Sequence, residues 1–259
     1  MESALQEFLT VSVLAFTLTF ARLGTAMMIM PGIGDSFVSP RVRLHFAAAL
    51  SFILFPLSVP FIPDPLPATF GLFMLILMEF TIGMFFGVLA RILMTALDTA
   101  GMAISISSGL SNAQLFNPTL ATQGSLVGAL LSMTGAVLIF ATDLHHLLFM
   151  GIVESYQLFP LGSVPDAGSM AEMVSRTVAA SFSIGIKFAA PFLVLSILVY
   201  TGMGILGRLM PQVQVFILAL PVQILMSIIL LMIVISAAMM YWLSEFEQGM
   251  VFFLRSAGG

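Results

Sequence analysis

Cysteine is absent from this chain of 259 residues, lysine occurs once, and charged residues make up only 8%. Without cysteine the chain can form no disulfide bond and can carry out no thiolate chemistry. Eight basic residues against twelve acidic ones, spread thinly, provide no basic patch for nucleic acid. Three histidines and one lysine leave little material for acid–base catalysis, and no phosphate-binding loop, nucleophile elbow or HExxH motif is present. We therefore expect a protein that is not an enzyme and needs no cofactor.

Hydrophobic residues make up 60% of the chain. Average soluble domains carry about 25% charged residues, and a soluble fold of this size could not cover its surface with so few. Six long apolar segments follow one another: roughly Phe8–Met30, Val42–Ile62, Ala68–Met94, Thr122–Thr142, Val174–Leu206 and Val213–Leu243. Each is long enough to cross a hydrocarbon core of about 30 Å as a helix. The sequence thus predicts an all-α integral membrane protein with about six long apolar helices arranged as hairpins.

A few charged residues interrupt the apolar segments or lie near their ends: Arg22, Glu79, Arg91, Asp98, Lys187 and Arg208. A charge that faces lipid costs several kcal/mol, so we expect each to be buried against protein or to face water. Lys187 precedes Pro191 by four residues, and a kink there could turn its ammonium group toward a partner carboxylate. A structural ion pair or snorkelling is favoured over a proton relay.

Small residues recur at helical spacing in two places. The segment EFTIGMFFGVLAR places Glu79, Gly83, Gly87 and Arg91 at successive i+4 positions on one helix face. Gly83 and Gly87 form a GxxxG pattern, and Gly124 and Gly128 repeat it. Such patterns allow close approach of another helix, which is either another helix of this chain or a helix of a partner subunit.

A mixed polar and apolar stretch, SGLSNAQLFNPT, joins two of the apolar segments. The residues that define it are Gly109, Leu110, Asn112, Gln114, Leu115, Phe116, Asn117 and Pro118. One interpretation is an ordinary loop with a few apolar anchors. The other is a lid or plug, polar enough to lie in water and apolar enough to close a pore by dewetting.

Asp143, His145 and His146 are the remaining group of interest. Only three potential metal ligands cluster there, and adjacent histidines on a helix point about 100° apart. We therefore expect the end of a helix at the membrane interface and no metal site.

Four blocks of the sequence resemble, in order, the FliR family of flagellar export-gate proteins, which includes the corresponding injectisome subunit. These blocks are Arg22–Pro56, Glu79–Arg91, Asp98–Pro118 and Gly207–Ile224. The resemblance implies one membrane domain over residues 1–259. Residues 1–175 would resemble a P subunit, with the pore loop near 108–118 and Phe116 as its stopper. Residues 176–259 would form a Q-like helical hairpin and tail.

The same resemblance implies the partners and the location. The partners would be P-type and Q-type gate subunits, a B-type switch subunit and an A-type export subunit. The chain would lie in the bacterial inner membrane, within the flagellar basal body. The family often has Asn where this chain has Gly207 and Gln214, and Lys where it has Gln223. The missing Lys puts in doubt a charge contact at the turn of the C-terminal hairpin.

The predicted function is that of a non-enzymatic core subunit of the flagellar type III export gate. It would form part of the channel for unfolded export substrates and help to keep it closed. The alternatives are the injectisome counterpart and an ion-coupled secondary transporter that uses Glu79, Lys187 or Asp98. No clear repeat relates the two halves of the chain, which counts against a transporter.

Overall fold

The computed structural model describes residues 2–62, 68–112, 125–210 and 215–256, and within these ranges it contains only helices and the turns between them. Two short 3-10 helices cover Val59–Phe61 and Leu110–Asn112. The α-helices are α1 (Glu2–Ile29), α2 (Pro40–Ser58), α3 (Thr69–Ser107), α4 (Leu126–Ala141), α5 (Leu144–Leu158), α6 (Ala167–Leu209) and α7 (Val215–Ser256). The predicted all-α fold is confirmed.

Five of the described helices are long and apolar enough to cross a membrane, or six if α4 and α5 together count as one bent span. This agrees with the six apolar segments of the sequence. The helix α5 was not expected as a helix of its own. The chain bends by 75° between α4 and α5, and the hydropathy pattern carries no mark of such a bend.

Three helices are much longer than a bilayer requires. Helices α3, α6 and α7 contain 39, 43 and 42 residues, which at 1.5 Å per residue makes each about 58 to 64 Å long. A hydrocarbon core is about 30 Å thick. Each of these helices therefore fits the core only if it is strongly tilted or extends beyond it.

Turn chemistry explains where the first two helices end and begin. After α1, Gly32 adopts φ 84°, a conformation that suits glycine because it has no side chain. The Asp35 carboxylate accepts a hydrogen bond from the Gly32 N–H at 2.7 Å and closes this turn. Helix α2 then starts at Pro40, with the Ser39 hydroxyl accepting from the N–H of Val42. Proline in the first turn behind a serine cap is a common helix start.

The chain divides into two compact units. The first consists of Met1–Ile92, Ile139–Thr177 and Glu247–Gly259. Its described core includes a cluster of buried leucines, Leu18, Leu75 and Leu161, against which Tyr156 packs.

The second unit consists of Leu93–Leu138 and Val178–Phe246. The only tryptophan of the chain, Trp242, is fully buried here and donates its indole N–H to the carbonyl of Leu93 at 3.2 Å. Gly135 lies against the same indole ring, since a Cβ at this position would be 3.2 Å from it. This unit combines chain from both predicted parts, 1–175 and 176–259, and that two-part division stays a prediction.

Candidate functional site

The most deeply buried charges of the described residues are Arg22 on α1 and Glu79 on α3. Both are 0% exposed. The Nε of Arg22 donates to Glu79 Oε2 at 2.6 Å, and its Nη2 donates to Oε1 at 2.9 Å. The pair is therefore a bidentate, charge-assisted contact between two helices, made by residues that are 57 positions apart in sequence.

Helix α5 and the turn after it complete this polar cluster. Arg22 Nη1 donates to the Ser155 hydroxyl at 3.0 Å, and Nη2 also donates to the Phe159 carbonyl at 2.9 Å. The ring of Tyr156 lies under the guanidinium, with 3.9 Å between the ring centroid and the Arg22 Cζ. Four of the five guanidinium N–H groups thus have acceptors. The arrangement ties α1, α3 and α5 together at one point of the first unit.

The glycine face of α3 lies along α1 of the same chain. A Cβ at Gly83 would overlap the carbonyl oxygen of Arg22, and one at Gly87 would lie 2.9 Å from the carbonyl oxygen of Ala26. Gly83 and Gly87 therefore let the two helix backbones touch. Of the two alternatives left open by the sequence, packing within the chain is the one found here.

Arg91, at the end of the same face, forms an ion pair with Asp35 in the turn after α1. Arg91 is half-exposed, and the Asp35 side chain is 17% exposed. Because Asp35 also closes the Gly32 turn, this pair fastens the turn to α3. Asp35 is not among the residues that the sequence predicts as functional, because it lies 56 residues from Arg91 in the chain.

The ends of the predicted pore loop are fastened to α3. Ser125, just before α4, donates its hydroxyl proton to the carbonyl of Gly101 at 2.9 Å and accepts from the N–H of Gly128 at 3.0 Å. The Ser105 hydroxyl lies 2.7 Å from the Ser125 hydroxyl and acts as donor, because the Ser125 proton is already engaged. A Cβ at Gly101 would overlap the backbone of Gly128. Residues 101–105 and 125–128 therefore form the root of the loop.

The start of the loop, at the last residue of α3, is held by Gln223 of α7. This side chain is 0% exposed and donates its amide to the Ser107 carbonyl at 2.6 Å. Gly109 then turns the chain with φ 79°. In the sequence, Gln223 stands out only as a departure from the family, so its contact with the end of α3 was not predicted.

The structure describes part of the predicted pore loop. Gly109 and Leu110 follow α3, and the backbone of Asn112 belongs to the short helix Leu110–Asn112. The other predicted loop residues lie outside the described residues: Gln114, Leu115, Phe116, Asn117 and Pro118. Gly124 of the second glycine pair lies outside them as well.

Three of the predicted buried charges are exposed in the single chain. Asp98 accepts a hydrogen bond from the Ser132 hydroxyl at 2.5 Å. Lys187 lies 3.4 Å from the Tyr241 hydroxyl and thus has a neutral partner within the chain. Arg208, in the last turn of α6, faces outward. Burial of these three against sister subunits stays a prediction.

The Asp143, His145 and His146 group is more compact than the sequence suggested. The two imidazole centroids lie 4.2 Å apart with 35° between the ring planes, so the two rings pack on each other although the residues are adjacent in the helix. Asp143, the residue before α5, adopts φ 60° after the bend, and both histidines lie in the first turn of α5.

The sequence between residues 13 and 249 matches the family described as bacterial export proteins, family 1. Flagellar biosynthetic protein FliR of Caulobacter vibrioides is 40% identical over 232 residues, which cover 89% of this chain and 92% of that protein. FliR of Bacillus subtilis is 29% identical, with 86% of each protein covered. Yop proteins translocation protein T of Yersinia pseudotuberculosis is 27% identical, with 85% of each covered. The similarity extends over most of the chain in all three comparisons.

Proposed function

Because the chain belongs to the bacterial export proteins, family 1, we propose that it is a non-catalytic core subunit of the flagellar type III export gate in the bacterial inner membrane. In this role it forms part of the channel through which unfolded export substrates pass, and it helps to keep that channel closed at rest. Similarity to FliR proteins, at up to 40% identity among those compared, favours the flagellar system over the injectisome.

The length of the helices supports a role within a larger assembly. Helices α3, α6 and α7 are each about twice as long as the bilayer core is thick. Many large apolar side chains of the chain are also uncovered, among them Phe52, Phe70, Leu198, Met232 and Ile233, each at least 65% exposed. Apolar surface outside the bilayer needs protein to cover it. P-type and Q-type subunits are the partners that this proposal assigns to it, together with the B-type and A-type subunits.

The observation that carries the channel proposal is the root of the loop between α3 and α4. Ser105, Ser125 and Gln223 fasten its two ends by hydrogen bonds between buried or half-buried groups. These contacts hold the residues at the start and at the end of the loop in place, as a plug requires. In this proposal residues 108–118 form the plug and Phe116 is its stopper.

A deletion in living cells tests the plug. Bacteria that produce the other export subunits would carry either the intact chain or a chain without Leu110–Asn117. We expect the deletion to let small solutes such as sucrose or protons cross the resting membrane. The matched control replaces the same eight residues with Gly and Ser, which keeps the loop length and removes its apolar side chains. Unchanged permeability at equal protein level in the membrane would remove the plug role.

An ion-coupled transporter remains the second candidate, and the structure gives it little support. Glu79 is the most buried acid of the described residues, but both of its carboxylate oxygens are engaged by Arg22. A coupling carboxylate has to release and rebind an ion, which this pairing opposes. Asp98 and Lys187 lie on the surface of the single chain with neutral partners. Transport of a small solute by the reconstituted chain alone would favour the transporter over the gate.

A further inference from the structure

The bend between α4 and α5 contains a backbone conformation that calls for an explanation. Asp143 is the one non-glycine residue with positive φ among the described residues, at φ 60° and ψ 12°. The left-handed conformation costs an ordinary L-residue about 1–2 kcal/mol, and somewhat less for Asp. An Asp at the start of a helix normally accepts a hydrogen bond from the helix N–H groups, which would offset such a cost. Here the Asp143 side chain makes no such bond.

The carboxylate of Asp143 lies instead beside an imidazole. Its Oδ1 is 3.8 Å from His146 Nδ1. The His146 ring packs on the His145 ring with 4.2 Å between centroids and 35° between planes, and His145 also contacts the ring of Phe140 at 5.2 Å. The two imidazole rings therefore pack on each other, and the Asp143 carboxylate lies beside the His146 ring.

One nitrogen in this group has no partner within the described chain. His145 Nδ1 is inaccessible to solvent and makes no hydrogen bond. Buried polar atoms almost always have a partner, and each exception requires a specific explanation. His146 and Asp143, by contrast, have side chains that are 69% and 79% exposed. An ion from water can reach the group, and these two side chains are free to rotate toward it.

One ligand atom from each of the three side chains lies within 4.8 Å of the other two. Around a tetrahedral Zn²⁺ ion with bonds of about 2.0–2.1 Å, ligand atoms are about 3.3 Å apart. The two exposed side chains would rotate toward the ion to close that difference. We propose, contrary to the expectation from sequence, that Asp143, His145 and His146 form a binding site for a divalent transition-metal ion such as Zn²⁺, Ni²⁺ or Cu²⁺.

The ligand set decides the chemical class of the ion. Two imidazoles and one carboxylate suit zinc, copper or nickel, whereas magnesium and calcium prefer sites made of oxygen ligands alone. The chain has no cysteine to compete as a ligand. Three protein ligands leave at least one position for water or for a group from a neighbouring subunit.

A bound ion would act on the bend. It would link the Asp143 carboxylate to two side chains of the first turn of α5 and so hold the chain in its bent form. Further along, α5 and the turn after it bring Ser155, Tyr156 and Phe159 to Arg22. The metal site would therefore stabilise the start of the helix that completes the buried polar cluster. This role is independent of whether the loop at 108–118 is a plug.

Zinc titration of the purified full-length chain in mild detergent, followed by calorimetry, tests the site. We expect one equivalent of Zn²⁺ to bind. His146→Ala and Asp143→Asn should each weaken binding by at least about tenfold, since loss of even a residue that supports a ligand commonly costs 10–100-fold. The matched control is His45→Ala. His45 is the remaining histidine of the chain. It is exposed and has a ring nitrogen 2.6 Å from the Arg41 carbonyl, so its removal should leave binding unchanged.

Electron paramagnetic resonance of the Cu²⁺ form provides an independent measurement. The intact chain should show coupling to two imidazole nitrogens, and His146→Ala should show coupling to one. Gel filtration and the fluorescence of the buried Trp242 confirm that each variant is folded. The proposal is overturned if the folded intact chain binds no Zn²⁺, or if the His145→Ala/His146→Ala variant binds as tightly as the intact chain, which would indicate an adventitious ion only.

Discussion

Replacing Arg22 with methionine should destabilise the chain severely, and replacing Glu79 with leucine in the same molecule should restore part of the loss. Arg22→Met removes the bidentate partner of Glu79, whose carboxylate is then buried without a counter-charge. Removing one partner of a buried pair typically costs about 3–5 kcal/mol. Replacing both partners with apolar residues of similar volume is often neutral.

The hydrogen bonds of Arg22 determine how much stability Glu79→Leu can restore to the Arg22→Met variant. In the double variant no charge is left unpaired, but the Phe159 carbonyl still lacks the donor that Arg22 supplied. An unsatisfied buried acceptor costs about 1–3 kcal/mol. The Ser155 hydroxyl keeps its bond to the Ile152 carbonyl at 2.5 Å and adds little. We therefore expect the double variant to be about 2 kcal/mol more stable than Arg22→Met, in spite of carrying more substitutions.

The free energy of unfolding in mixed detergent micelles, followed by circular dichroism, is the quantity to measure. Arg176→Met is the matched control. Arg176 pairs with Glu172 at 2.6 Å, the same distance as the buried pair, but the two side chains are 76% and 64% exposed. Exposed pairs contribute about 0–1 kcal/mol, so this variant should unfold almost like the intact chain. The steady-state amount of each variant in the membrane gives a second measurement in cells.

Two outcomes would refute the reasoning. If Arg22→Met and Arg176→Met lose the same stability, burial does not distinguish the two pairs. If the double variant is no more stable than Arg22→Met, the loss comes from packing of the arginine side chain and not from an unpaired carboxylate. In that second case Arg22→Lys, which keeps the charge but cannot form the bidentate contact, should lose as much as Arg22→Met.

Further predictions concern packing, backbone conformation and pH. Gly83→Ala should cost about 1–3 kcal/mol because its Cβ would overlap α1 backbone, whereas Gly202→Ala, in open space, should be neutral or stabilising; thermal unfolding of the two variants distinguishes them. Gly109→Ala should cost about 1–2 kcal/mol, since φ is 79° there, and Gly109→Asn should cost less in the same assay. The Ser169 hydroxyl, and then the N–H groups of Ser169 and Gly168, hold the pKa of Asp166 below its ordinary value. The start of α6 should therefore be protected above the ordinary pKa and lose protection as the pH falls through the depressed one, which hydrogen exchange measures; an Asp166→Asn variant that shows the same acid dependence would contradict this.

Composition and hydropathy were sufficient to predict the class of the molecule. With 60% hydrophobic and 8% charged residues, the chain had no alternative to a membrane fold of helices, because only lipid or other protein can cover so much apolar surface. The helix ends were predicted less well. Helix α3 continues to Ser107 rather than to Met94, and α7 continues to Ser256 rather than to Leu243. An apolar window stops where polar residues appear, but a helix continues through them because its hydrogen bonds are local.

For the candidate site, too, the sequence predicted some features and missed others. Arg22 and Glu79 were both expected to need burial, because any charge in an apolar segment does. Their pairing was not predicted, and neither was the role of Asp35 as the partner of Arg91. Nothing in the sequence says which of several acids meets which arginine. The contacts of Ser125 and Gln223 with α3 were missed for the same reason, since serine and glutamine carry no periodic signal.

What the sequence determined by itself is therefore everything that depends on the content of a segment: membrane helices, charges that need partners, and glycines that allow close approach. What only the tertiary structure decided is which groups meet. Arg22 meets Glu79 across 57 residues, and Asp143, His145 and His146 converge at a bend of 75°. Solvation is a property of each segment, whereas a hydrogen bond or a ligand set depends on distances of a few ångströms between segments that only the folded chain defines.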